Sequence, residues 1–227
     1  MADLVLLASG RASDVYVLAP DRVLRRYRNG GDVATEAAVM AHVAAHGYPV
    51  PAVYAADGQD LVMERLDGPT LLEAVASGEY GAAQVGWLLA QLHDLPARCS
   101  EDPGVRILHP ANVLLTGRGP VVIDWTNTAE GPPELDVAVS ALILGLVAVG
   151  GPDDPAHEYA GAASAILEAF LAATTTSPLR MLDHAVARRR GDRGLTSAEI
   201  SRLDAAADLV QRLVAGSSSS QEGSPSP

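Results

Sequence analysis

Over the first 65 residues apolar positions come in short runs broken by turn formers, a pattern that predicts strands. Leu4 to Leu7, Asp14 to Leu18 and Arg22 to Tyr27 are aliphatic or β-branched runs. The second and third are joined by Ala19-Pro20-Asp21-Arg22, a turn in which proline supplies a fixed φ. Val33, Ala37, Met40, Val43 and Ala44 then fall on one face of a helix, with Asp32 as its cap and Gly47, Pro49 and Pro51 as its stop. Ala52 to Ala55 and Leu61 to Arg65 read as two more strands around the Asp57-Gly58 turn. The first lobe is therefore expected to be a small antiparallel sheet with one helix, over residues 1–65.

From Pro69 the period changes to that of helices. Thr70 with Glu73 is a capping-box pattern, and Ala82 to His93 carries Val85, Leu88, Leu89 and Leu92 on one face. Strand signals return only at Val113 to Leu115 and Val121 to Ile123, around the turn Thr116-Gly117-Arg118-Gly119. Helices are predicted for Glu134 to Val149, Pro155 to Ala173, Pro178 to Arg189 and Thr196 to Ala215, the last opened by a second capping box with Glu199. The chain thus divides into an N-terminal β-rich lobe, a helical lobe over 66–215 with one short hairpin, and a Ser-, Gly- and Pro-rich tail over 216–227 expected to be disordered. The fold class is α+β.

Composition narrows the partners. Sixteen basic residues against twenty-eight acidic ones leave a net charge of -12 in 227 residues, which argues against a nucleic-acid or anionic membrane surface. The longest apolar stretch, Val137 to Val149, is too short to span a bilayer. A single cysteine, Cys99, excludes a disulfide framework and fits a reducing compartment, so a soluble cytoplasmic protein is expected. All sixteen basic residues are arginine. Any site that ordinarily uses a lysine ammonium must here use a planar, permanently charged guanidinium.

The chemistry concentrates at the hairpin, in Leu108-His109-Pro110-Ala111-Asn112-Val113-Leu114-Leu115 and Val121-Val122-Ile123-Asp124-Trp125. Asn112 and Asp124 stand at its two ends beside apolar strands. As hard oxygen donors they suit Mg²⁺ completed by phosphate and water, and on spacing alone they serve equally as turn formers at strand ends. Together with Gly131-Pro132-Pro133-Glu134-Leu135-Asp136-Val137-Ala138, these blocks resemble the signature of the aminoglycoside phosphotransferase and choline kinase type of the protein-kinase-like superfamily. The resemblance runs over roughly residues 8 to 140. It implies a bilobal kinase-like fold that binds ATP and Mg²⁺, with Asn112 and Asp124 holding the metal, His109 near the terminal phosphate and Asp136 bracing the catalytic loop.

The N-terminal half follows the same order. Ser9-Gly10-Arg11-Ala12-Ser13 lies where the family has its phosphate-covering loop, which implies Ser9, Gly10 and Ser13 as nucleotide contacts; as residues alone they make an ordinary hairpin turn. Arg25 falls where the family has a strand-borne lysine, and Glu36 matches the helix glutamate that pairs with it. Arg26, on the opposite face of the strand, is the competing candidate. Met63, Glu64 and Arg65 resemble the hinge, where backbone groups of Glu64 and Arg65 would bond the adenine edge.

One position breaks the pattern. The family's catalytic aspartate should stand five residues before the asparagine, and that position is Ile107, by substitution or by a short deletion. General-base assistance is worth roughly 10² to 10⁴ in rate, so the reading is a small-molecule O-kinase with impaired transfer of the ATP γ-phosphate to a hydroxyl. The alternative is a catalytically inactive, nucleotide-binding pseudokinase acting as a binding or regulatory module. Asp153, Asp154 and Glu158 would attract a cationic acceptor if they are more than a solvated acidic loop.

Overall fold

The computed structural model describes residues 4–10, 12–28, 30, 33–94, 110–126, 128, 131–192 and 194–221, the side chains of 217–221 excepted. Five antiparallel strands, β1 (Val5–Ser9), β2 (Ser13–Ala19), β3 (Arg22–Tyr27), β4 (Val53–Asp57) and β5 (Asp60–Glu64), form a sheet in the order β1-β2-β3-β5-β4. Helix α1 (Ala34–Ala45) lies between β3 and β4 in the chain. The register sets Val15 opposite Arg25 and Ser13 opposite Tyr27. Because side chains alternate along a strand, Ser13, Arg25 and Tyr27 share one face and Arg26 takes the other. Val33 occupies the cap position of α1 without a side-chain hydrogen bond; the expected cap, Asp32, lies outside the described residues.

The second half is helical, as the change of period predicts: α2 (Leu71–Ala76), α3 (Ala82–Asp94), α4 (Pro133–Ala148), α5 (Ala160–Ala173), α6 (Leu182–Arg190), α7 (Ser197–Ser201) and α8 (Leu203–Gln221). A 3₁₀ turn, Pro110–Asn112, leads into the hairpin β6 (Val113–Thr116) and β7 (Gly119–Val122). Both capping boxes form: Thr70 and Thr196 each accept from the backbone N–H three residues on, and Glu73 and Glu199 accept in return from the backbone N–H of each threonine. Several boundaries differ from expectation. A 3₁₀ turn at His157–Tyr159 delays α5 until Ala160, the predicted last helix is interrupted at Arg202, and α8 continues past 215 to Gln221, where the sequence predicts disorder.

The core centres on α4, whose Val137, Ala138, Val139, Ala141 and Leu142 are all buried beneath the surrounding helices. Helix α3 reaches α5 through Gly86, where a Cβ would lie 2.6 Å from the Phe170 nitrogen and from the Ala169 Cβ. Gly68, with φ +139, is pressed against the hairpin so closely that a Cβ would lie 1.9 Å from the Leu115 carbonyl oxygen. The Leu115 N–H donates to the Pro69 carbonyl at 2.8 Å, so the connector between the lobes is stitched to β6.

Candidate functional site

Arg25 stands at the centre of a buried polar cluster drawn from four parts of the chain. Its Nε donates to Ser13 Oγ on β2 at 2.9 Å and its Nη1 to Glu36 Oε1 on α1 at 2.5 Å. Its Nη2 donates to Asp124 Oδ1 at 2.9 Å and to Thr126 Oγ1 at 2.7 Å, both just beyond β7. The first partner follows from the sheet face that Ser13 and Arg25 share; the second follows because Glu36, in the first turn of α1, faces that sheet. Glu36 is nearly saturated: Oε1 also accepts the Trp125 N–H at 3.0 Å, and Oε2 accepts the Tyr27 hydroxyl at 2.5 Å. The arginine and glutamate side chains are 7% and 3% exposed, whereas that of Asp124 is 46% exposed, so the cluster is buried at one end and open at the other.

Asp124 adopts a left-handed backbone (φ 62), the only described residue besides glycine to do so. Aspartate tolerates this conformation better than most side chains, and a polar residue held there is a common mark of a functional position. Burial works against the charged carboxylate, but the Arg25 guanidinium and the Thr126 hydroxyl prevail and hold its carboxyl below the usual range. Burial likewise opposes the Arg25 charge and is outweighed by Asp124 and then Glu36, so its pKa is raised. Tyr27 is pushed up to about 12, first by burial and then by its bond to Glu36.

The Asn112 carbonyl accepts the Ile123 N–H at 2.9 Å, which brings Asn112 and Asp124 to the same foot of the hairpin. The Asp124 carboxylate itself is turned to Arg25. Arg26, the competing candidate, points away and grips Asp60 with two bonds of 2.6 and 2.5 Å. Asp136 lies elsewhere: it is buried at the start of α4, its Oδ2 2.9 Å from His93 Nδ1 on α3, while His93 Nε2 lies 3.1 Å from Ser140 Oγ. The order carboxylate, imidazole, hydroxyl is that of a hydrolytic relay, but all three residues are buried, Ser140 1% exposed, and they act as a brace between helices. His109 and Ile107 lie outside the described residues.

The expected nucleotide contacts divide. The Gly10 N–H donates to the Ser13 carbonyl at 2.9 Å, and Ser9 Oγ to Asp14 Oδ1 at 2.6 Å, so these two groups are engaged within the protein. Arg28 reaches the Gly10 carbonyl from the end of β3. At the hinge, the Glu64 N–H donates to the Ala52 carbonyl at 2.8 Å and the Arg65 N–H to that of Asp21 at 2.9 Å. These two amides are thus engaged within the protein. The Glu64 carboxylate accepts from Arg118 at 2.8 Å and clamps the hinge to the hairpin turn. Met63 packs half-buried against the core. A cavity of about 400 Å³ opens behind this clamp, between Tyr48, Val50, Ala52, Arg118 and Pro120. It touches none of Arg25, Glu36 and Asp124, and the charged cluster is the better candidate for chemistry. Asp154, read as either an acceptor-attracting acid or part of a solvated acidic loop, is bonded to Arg202 and to the Ala156 N–H.

Sequence reasoning missed Tyr27, Thr126, Arg118 and His93. Tyr27 was accessible, since it lies two residues from Arg25 on the same strand face. Nothing in the sequence marks Thr126 or Arg118, whose partners are distant in the chain.

A strand-borne cation paired with a glutamate from the following helix, opposite an aspartate that leaves a hairpin, is the arrangement that the family resemblance implies. Residues 3–106 match the phosphotransferase enzyme family. That match covers the sheet, α1, the hinge and α3, and it ends just before Ile107. Among solved structures, a choline/ethanolamine kinase family protein from Mesorhizobium loti is 14% identical, with 95% of this chain and 92% of that one covered and a TM-score of 0.56, which shows the kinase-like fold. An amicoumacin kinase solved with AMP-PNP, Ca²⁺ and Ami is 13% identical (92% and 88% covered, TM-score 0.48). A thermostable aminoglycoside phosphotransferase mutant solved with AMP-PNP and hygromycin B is 15% identical (95% of each chain covered, TM-score 0.46). No curated protein matches the sequence. The phosphotransferase family match and the α+β kinase-like architecture agree with the sequence reading. No helix among the described residues is long and apolar enough to cross a membrane.

Proposed function

We propose that this chain is a nucleotide-binding domain of the aminoglycoside phosphotransferase and choline kinase type, built for transfer of the ATP γ-phosphate to the hydroxyl of a small molecule and slow at that step. The observation that carries this reading is the Arg25–Glu36–Asp124 cluster, which joins a strand, a helix and the exit of the hairpin within a chain whose first half matches a phosphotransferase family. Glu36 orients the Arg25 guanidinium between the sheet and the hairpin exit, and the half-exposed Asp124 is the end of the cluster that a ligand can reach. Loss of the base at Ile107 removes the group that would accept the proton of the attacking hydroxyl, so turnover falls while binding survives.

Asp124 is the acid that, together with Asn112, would hold magnesium by the family resemblance. Its Oδ1 accepts from the Arg25 guanidinium and the Thr126 hydroxyl, and nearly half of the side chain is exposed. A divalent ion needs several oxygen donors in a near-octahedral set.

The second reading, a pseudokinase that binds without turning over, rests on the same apolar residue at the base position, Ile107. ATP consumption across a panel of amino sugars and amino alcohols separates the two. For an impaired kinase, Ile107→Asp raises turnover by at least about tenfold. An unchanged rate in a variant that still binds ADP leaves the pseudokinase.

A further inference from the structure

Helix α1 ends on two histidines one turn apart. His42 and His46 lie off the face that buries Glu36, Met40 and Val43, and their ring centroids stand 4.5 Å apart with planes inclined at 37°. His46 caps the helix, and its backbone N–H donates to the Val43 carbonyl at 3.1 Å. The His42 carbonyl thereby loses the donor that the regular helical ladder would have given it. The imidazole of His46 takes that place through Nδ1, at 2.9 Å. A carbonyl can only accept, so the hydrogen sits on Nδ1 and the lone pair of His46 is on Nε2. This is the tautomer and the backbone anchor that a metal-ligating histidine uses. The Nε2 of His42 is shielded from water and has no hydrogen-bond partner among the described residues. Capping accounts for His46; it does not account for that orphaned nitrogen on the imidazole beside it.

We propose that His42 and His46 form a two-histidine site for a divalent transition-metal ion such as Zn²⁺ or Cu²⁺, held through the two Nε2 atoms with water completing the shell. Imidazole nitrogen suits these ions and discriminates against Mg²⁺ and Ca²⁺, which take oxygen donors. His42 is only partly buried, so a rotation of its ring is enough to present Nε2 to an ion shared with His46. The second nitrogen then binds intramolecularly, and the pair exceeds either ring alone. No third His, Cys, Asp or Glu joins them among the described residues, which makes this an exchangeable site on a helix surface rather than a closed structural centre. Both ligands are in place only while the last turn of α1 is helical, so the ion stabilises the folded state. The inference does not depend on the nucleotide reading.

The test titrates Zn²⁺ into the full chain by calorimetry at neutral pH, in excess Mg²⁺ to occupy oxygen sites, and follows melting temperature and the Cu²⁺ electron paramagnetic resonance spectrum in parallel. One equivalent of Zn²⁺ is expected to bind at micromolar concentration and to raise the melting temperature. His42→Ala and His46→Ala are each expected to weaken binding by at least about tenfold and to remove that rise, and His42→Gln and His46→Gln to do the same. His184→Ala, which removes an exposed histidine on α6, is expected to leave binding unchanged. Bound Cu²⁺ is expected to couple to two imidazole nitrogens in the wild type and to one in either single variant. Zn²⁺ affinity unchanged in the folded His42 and His46 variants overturns the assignment. So does its loss in His184→Ala, a Cu²⁺ spectrum with a single nitrogen in the wild type, or a wild type that binds no Zn²⁺.

Discussion

Asp124 and Asp136 stand twelve residues apart in the chain, each bonded to a basic side chain, and their surroundings differ in kind. Asp136 and His93 join α3 to α4 with both side chains 2% exposed. Asp124 joins the hairpin to the N-terminal sheet through Arg25, with its own side chain nearly half exposed and its backbone in the left-handed region. A sealed pair with ordinary backbone can only fix the relative position of two helices. A pair that is sealed at the arginine and open at the acid holds charge where a ligand can reach it, and backbone strain at the open end is tolerated because the position does more than pack. By this contrast Asp136 is a buried bridge between α3 and α4, and the cluster around Arg25 is the one with an exposed end.

The contrast can be broken most forcefully at the sealed pair. Asp136→Ala strands a buried imidazole and is expected to lower unfolding free energy by about 3 kcal/mol, read by urea denaturation. A loss near zero would mean that the pair is no brace. Glu36→Ala removes the acceptor of Arg25, Tyr27 and the Trp125 amide, and is expected to cost about 2 kcal/mol while weakening ADP binding; Asp136→Ala, in its folded fraction, should leave ADP binding unchanged. Asp124→Asn sharpens the comparison through pH. Its carboxyl titrates lower in the folded protein than the ordinary 3.8, so its stabilisation is complete above that value and is lost as pH falls through the depressed one. The variant should lack that component of acid sensitivity, and identical acid-denaturation curves would contradict the Arg25–Asp124 pairing. The smallest effect is expected from Arg26→Ala, whose partner Asp60 lies on the solvent side of the sheet: ADP binding should not change and the melting temperature should hardly move.

Much of this arrangement is legible in the sequence because it depends on local period. Alternation along β3 separates Arg25 from Arg26, the family resemblance singles out Glu36 on α1, and both capping boxes follow from a threonine and a glutamate three apart. The hairpin is legible from its turn, and with it the nearness of Asn112 and Asp124. What is not legible is how shared donors and acceptors are divided. That Asp124 turns to Arg25, that the Gly10, Glu64 and Arg65 amides are spent internally, and that Asp154 is taken by Arg202 all depend on partners brought close only by the fold. The expected disorder at 216–227 rests on composition, which is a weak guide where a preceding helix can propagate through serines to Gln221.

Hydrogen exchange with and without ADP asks directly which of the two acidic pairs faces a ligand. Added protection is expected at 12–15, 24–26, 62–66 and 123–126, with none around His93 or at 136–140. Protection confined to α3 and α4, or none anywhere at saturating ADP, would contradict the placement of a nucleotide beside Arg25 and Asp124.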